Sequence, residues 1–186
     1  GTIKWQGKIG VFTIGQATGT TKPTLTPPQI DISLQSVLTS SFGAGTRTLT
    51  AQWTDVGFTG VGPATMNEST SFSLGSGSSV NTSYIDDGNA AFGTGTTVGT
   101  IPAASPGAST QMLTGPGPMN QPFSMTNQVV VTLAQRTLYN VDFSLTASQP
   151  PPPLTLACSA GMAQENVPYS SNLVANGGVA PYMFSV

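Results

Sequence analysis

Seven carboxylates are the only acidic side chains in this sequence of 186 residues, and no histidine accompanies them. Without histidine, neither a serine–histidine–carboxylate nor a cysteine–histidine nucleophile can be assembled. Cys158 is the single cysteine, so a zinc site of the usual nitrogen and sulfur ligands is excluded too. What remains is a carboxylate pair of the kind that glycoside hydrolysis uses. Asp86 and Asp87 are adjacent, and in a strand their side chains would point to opposite faces. No catalytic residue and no cofactor is expected, and the chain reads as non-enzymatic.

Three weaker chemistries are left. Asp86, Asp87 and Asn89 could offer oxygens to Ca²⁺, but no Asp-x-Asp-x-Asp spacing supports a metal. A turn in which Asp87 and Asn89 bond their own backbone is the simpler expectation. Trp5, Trp53, Tyr84 and Phe92 could stack on a sugar if exposed, although Trp53 shares a strand face with Leu49 and Ala51, which favours the core. Asn67-Glu68-Ser69 and Asn81-Thr82-Ser83 fit glycosylation acceptors, in a chain rich enough in Ser and Thr to produce such triplets by chance.

The N-terminal segment carries a physical function rather than a chemical one. Ile3, Trp5, Ile9, Val11, Phe12 and Ile14 form an apolar strand pair ahead of a Thr/Gly-rich turn. It reads either as the first hairpin of a domain or as a strand that adds to a neighbouring subunit's open sheet edge, and these six residues are the candidate assembly contacts.

The elements that must hold these residues are strands. Ile30, Ile32 and Leu34 alternate with polar residues, and the phase slips at Val37-Leu38 as a β-bulge would make it. Leu49, Ala51 and Trp53 alternate likewise, as do Phe72 and Leu74, then Val129, Val131 and Leu133, then Val141, Phe143 and Leu145. Turn clusters separate them at Gly43–Gly45, Gly75–Gly77, Asp87–Asn89 and Pro102–Gly107, with Asp87-Gly88 a tight-turn pair. Pro116, Pro118 and Pro122 suggest a long loop over residues 114–122. Eight to ten strands of this kind, each with one wet face, imply two antiparallel sheets packed as a β-sandwich or jelly roll.

Charged residues make up 6% of the chain, against about 25% in an ordinary soluble domain, and the net charge is −2. Polarity comes instead from 20 Ser and 27 Thr. Nucleic acid is excluded as a partner because no basic patch can form, and electrostatic docking to anionic lipid fails for the same reason. No apolar run is long enough for a transmembrane helix. A low-charge, hydroxyl-rich surface suits a secreted, extracellular or cell-surface protein packed against copies of itself or a polysaccharide.

Gln149 and Pro150–Pro153 form a stiff extended spacer and divide the chain into a sandwich domain over residues 1–148, a linker over 149–153 and a second part over 154–186. Leu154, Leu156 and Cys158 alternate inward there, with further strands expected over Val167–Val174 and Tyr182–Val186. That part is shorter than an immunoglobulin-like sandwich, so it is expected either to open a domain that continues or to lend strands to another core. Cys158 then reads as a small buried group or as half of a disulfide.

Two resemblances follow from particular residues. Leu154–Cys158, then Pro168-Tyr169-Ser170-Ser171, then Gly177-Gly178-Val179-Ala180-Pro181-Tyr182, are similar to the opening of bacterial putative immunoglobulin-like repeats. The runs Leu49–Thr59, Ser83–Gly93 and Pro122–Val129 resemble the β-domains of secreted PEP-CTERM-type exopolysaccharide-associated proteins. These resemblances imply an all-β fold ending in a partial immunoglobulin-like domain, and an extracellular bacterial setting. The expected function is a structural subunit of a filament, sheath, matrix or surface layer, assembling through β-sheet contacts. The alternative is a carbohydrate-binding or adhesion module of a larger secreted protein.

Overall fold

The computed structural model describes residues 1–25, 28–60, 62–147, 153–157, 174–178 and 182–183, and those residues contain strands but no helix. Ten strands make the first unit: β1 (Thr2–Ile9), β2 (Phe12–Thr20), β3 (Gln29–Thr39), β4 (Thr46–Phe58), β5 (Ala64–Leu74), β6 (Gly77–Asp86), β7 (Thr96–Ala104), β8 (Gly107–Gly115), β9 (Phe123–Ala134) and β10 (Leu138–Ala147). They form a six-stranded sheet in the order β1-β2-β3-β10-β5-β8 and a four-stranded sheet in the order β4-β9-β6-β7. Every pairing is antiparallel.

Alternation in the sequence becomes the two inner faces of a sandwich. Ile30, Ile32 and Leu34 of β3 and Val141, Phe143 and Leu145 of β10 are buried with Val129, Val131 and Leu133 of β9. Each such side chain, fully buried, contributes roughly 1.5–3 kcal/mol. The phase slip in β3 is a bulge: Val37 pairs with Tyr139 and Leu34 with Val141, so β3 carries one extra residue. Ser36 takes up the strain at φ 55° and donates its N–H to Asn140 Oδ1 at 2.7 Å. Gly15 lies alongside, where a Cβ would come within 2.9 Å of the Ser36 Cβ.

One side of the sandwich is closed. The edge strands β7 and β8 follow one another through Ser105 and Pro106 and pack together. A Cβ at Gly115 would stand 1.9 Å from the Val98 carbonyl oxygen, so the two sheets meet there backbone to backbone. The turn from β9 to β10, which passes between the sheets, is also tied down. The Thr137 N–H donates to Thr39 Oγ1 at 2.8 Å, the Thr39 N–H to the Thr137 carbonyl at 3.0 Å, and the Thr137 hydroxyl to the Ser76 carbonyl at 3.1 Å.

Two local expectations are corrected. Pro102 lies within β7 rather than in a turn; β7 is an edge strand, where the missing N–H costs no ladder bond. Leu74 does not share the fate of Phe72: a register shift beside Leu138 leaves it exposed while Phe72 is buried. Asp87-Gly88 is the tight turn expected, closed by the Asn89 N–H donating to the Asp86 carbonyl at 3.0 Å, and it opens a connection that reaches β7 at Thr96.

The chain divides into two compact units, Gly1–Gln149 and Pro150–Val186. In the second, β11 (Thr155–Ala157) pairs antiparallel with β12 (Val174–Asn176). Leu154 and Leu156, expected to face inward, are exposed because no core covers them among the described residues. Cys158, Val167, most of the proline linker and the end of the chain lie outside the described residues.

Candidate functional site

The side of the sandwich opposite β7 and β8 is open. The register sets the faces of β1: Ile3 pairs with Gly19, Trp5 with Ala17, Gly7 with Ile14 and Ile9 with Phe12. Phe12 and Ile14 are core residues, so Ile3, Trp5 and Ile9 also point to the core side of the sheet. Thr2, Lys4, Gln6 and Lys8 occupy the other face. Yet Ile3 is 62% exposed, Trp5 43% and Ile9 50%. The four-stranded sheet stops at β4, short of β1, and nothing in it covers these side chains.

The result is an open groove of about 270 Å³ between β1, β2 and β3 on one wall and β4 on the other. Ile14, Ala17, Ile32, Leu34, Leu49 and Ala51 contribute apolar lining, and none of the lining residues is charged. A volume of that size would hold roughly nine waters at ~30 Å³ each, against walls that offer them few partners. Both tryptophans of the chain stand in it. The Trp5 ring lies over Gly7, where a Cβ would meet it at 2.7 Å. The Trp53 ring lies over Gly19, where a Cβ would meet it at 2.4 Å, and its indole N–H donates to the Thr20 carbonyl at 3.2 Å. Trp53 thereby bridges the two sheets.

Among the six assembly candidates, the structure makes a division. Phe12 and Ile14 are buried in the domain's own core, with Ile14 also lining the groove, and Val11 packs against that core partly buried. Ile3, Trp5 and Ile9 are the exposed ones. The segment is the first hairpin of the domain, paired with β2 from Thr2 to Ile9.

The four aromatics of the sugar-platform expectation are not brought together. Trp53 lies on the inner face of its sheet with Asn127 and Ser83, whereas Tyr84 lies on the outer face with Thr126 and Thr54. Phe92, exposed at φ 58°, belongs to the loop over that outer face, where its N–H donates to Thr54 Oγ1 at 3.2 Å.

The Ca²⁺ candidates face backbone donors in three directions. Asp86 Oδ2 accepts from the Ala90 N–H at 2.9 Å, Asp87 Oδ1 from the Met119 and Asn120 N–H groups at 3.0 and 3.2 Å, and Asn89 Oδ1 from the Gly57 N–H at 2.7 Å. They anchor loops, and only Asp86 does so locally, so Asp87 and Asn89 depart from the self-bonded turn expected of them. Asn67 is exposed on β5, but Asn81 is fully buried and cannot carry a glycan in the folded domain.

Two polar groupings escaped the sequence. Glu68 of β5 is buried at 2% exposure, and neither of its carboxyl oxygens has a hydrogen-bond partner. The Ser79 hydroxyl, the Asn81 amide and the Tyr139 hydroxyl are unpaired in the same way. Burial pushes the Glu68 carboxyl above its ordinary value, outweighing the nearby Thr70 and Asn81, and pushes the Tyr139 phenol up to about 12. On the opposite face, Asp31 of β3 and Asp142 of β10 are diagonal neighbours, since Asp31 pairs with Ser144 and Ser33 with Asp142. Burial, with the Asp142 carboxylate second, raises Asp31 to about 7.

No family model, no curated protein and no solved structure matches the chain. Its function is therefore argued from the open side of the sandwich.

Proposed function

We propose that this chain is a non-enzymatic structural subunit of an extracellular assembly, joined to its neighbours through β-sheet contacts. One observation carries the proposal: among the described residues, the sandwich leaves a core-facing strand face uncovered, beside an unpaired sheet edge. β4 runs for 13 residues along that edge. From Thr48 to Thr54 it carries no charge, proline or bulge, the devices that ordinarily keep edges apart. A monomer would hold Ile3, Trp5 and Ile9 in water to no benefit; a subunit covers them on assembly.

Sedimentation across a concentration series, with electron microscopy of the concentrated sample, tests this. Oligomers that grow with concentration are expected, and a chain that stays monomeric throughout overturns the proposal. Raising the salt from about 0.1 M to about 1 M shortens the screening length from about 10 to about 3 Å. The association is expected to change by less than about threefold, because the groove and the middle of β4 carry no charge to screen.

Carbohydrate binding is the second reading, favoured by the two tryptophans in one groove. Thr18, Thr50, Gln52 and the two indole N–H groups, one of them already given to the Thr20 carbonyl, are the polar side-chain groups among the lining residues, few for a ligand covered in hydroxyls.

A further inference from the structure

We infer that the groove is the acceptor for one inserted β-strand, and that the strand is the Leu154–Ala157 segment of a second copy of the chain. The inference rests on the self-assembly reading above and names its contact.

The acceptor geometry follows from the strand count. The four-stranded sheet ends at β4, and the six-stranded sheet continues past it to β1. A strand hydrogen-bonded to the free edge of β4 would lie opposite β1, with every second side chain on Ile3, Trp5 and Ile9. Its partner backbone is in place, and so is its apolar cover.

The same geometry limits what can enter. If β4 paired with β4 of another copy about a twofold axis, both six-stranded sheets would lie on the same side of the joined sheet. The partner's β3 and β2 would then fall in the layer that β1 and β2 already fill. A twofold pairing is thus blocked by volume, and the donor must be a strand that projects from its own domain. Contacts of that kind are heterologous, head to tail, and propagate.

The chain contains a segment of the required kind. The groove has no charge, so its occupant must be uncharged, extended and apolar at alternate positions. β8 has exposed Met112 and Leu113 but is fixed within the six-stranded sheet. Met119 stands in a loop. Thr155–Ala157 is already a strand, with Leu154 at 64% exposure and Leu156 at 53% two residues apart, hence on one face. One edge of β11 pairs with β12, and among the described residues no strand pairs with the other, the edge that would meet β4. The four prolines that precede Leu154 in the sequence favour an extended spacer.

The test uses the full chain and two variants at exposed positions, so that neither change disturbs a core. Ile9→Lys places a charge in the acceptor, and Leu156→Lys places one on the donor. Each alone is expected to stay monomeric at concentrations at least about tenfold above those at which the unaltered chain assembles. An equimolar mixture is expected to give one-to-one dimers and nothing longer, since each mixed pair retains one intact donor and one intact groove. Tryptophan emission should shift to the blue on mixing, because both tryptophans border the groove. Assembly of Leu156→Lys like the unaltered chain would show that another segment is the donor; assembly of Ile9→Lys would show that the groove is not the acceptor. Either result overturns the inference while leaving self-assembly intact, whereas an unaltered chain that never assembles removes both. An emission shift with a soluble oligosaccharide and none on mixing would also overturn the inference, in favour of a sugar site.

Discussion

Glu68 holds a carboxyl group between two sheets where it binds a proton that the unfolded chain would release. The folded value is above the ordinary 4.5. The associated stability is therefore fully present below about pH 4.5 and is lost as pH rises through the folded value. Asp31 behaves in the same sense, from 3.8 unfolded to about 7 folded. Asp55 works the other way: burial alone would raise it, but the Thr21 hydroxyl, the Val56 N–H and the Lys22 ammonium hold it low, so its contribution fades only in strong acid. The melting temperature is expected to peak near about pH 4 and to decline toward about pH 8. Glu68→Gln should remove part of that decline, gaining about 1–3 kcal/mol at about pH 8 and little at about pH 4. Asp142→Asn should remove only a share of the decline between about pH 4 and about pH 7, because burial, the larger cause of the Asp31 shift, remains. Thermal melts of the three chains across pH check this, and parallel curves for all three would refute it. Little of this was legible in the sequence: Glu68 shares a strand face with Met66 and Phe72, but a carboxylate there reads as a break in the apolar face rather than as a buried group, and Asp31 and Asp142 become neighbours only because β3 pairs with β10.

At the scale of the elements, the strands were legible and their order was not. The alternations at Ile30–Leu34, Val129–Leu133 and Val141–Leu145 each identified a strand and its core face, and the slip at Val37-Leu38 identified a bulge, which lies between Leu34 and Val37. Pairing was hidden because strands built from the same Val, Ile, Leu and Thr residues do not specify their neighbours. The candidate site was half visible: Ile3, Trp5 and Ile9 showed an apolar face, but only the sheet order reveals that nothing lies over it. Two glycines distinguish the closed side from the open one. Gly115→Ala would drive a Cβ into the Val98 carbonyl at 1.9 Å, where only backbone could yield. Gly19→Ala would drive one into the Trp53 ring at 2.4 Å, and that ring can swing into the open groove. Gly115→Ala is expected to cost about 3 kcal/mol or more, and Gly19→Ala about 1–2 kcal/mol with loss of the Trp53 bond to Thr20. Denaturant unfolding gives the order, and Trp emission shows the movement; equal costs would mean that the two sides are equally tight.

At the scale of the whole molecule, the sheet orders fix when the chain can fold. β10 lies between β3 and β5, and β9 lies between β4 and β6. Remove these two consecutive strands and the first sheet falls into β1-β2-β3 and β5-β8, the second into β4 alone and β6-β7. A ribosome delivers β9 and β10 last among the ten, so no earlier length of the nascent chain holds a joined sheet. A chain stopped near Ala134 is expected to be degraded by a protease that spares the full-length protein, and resistance should appear only once Ala147 has cleared the exit tunnel. Stalled chains of graded length would show the step; resistance that accumulates strand by strand would refute it. Such an order of events would suit the extracellular subunit proposed above, because it could be passed through a narrow channel as an unfolded thread and close its sandwich on the far side. In that proposal, exposed edges would meet other copies only after the journey is complete.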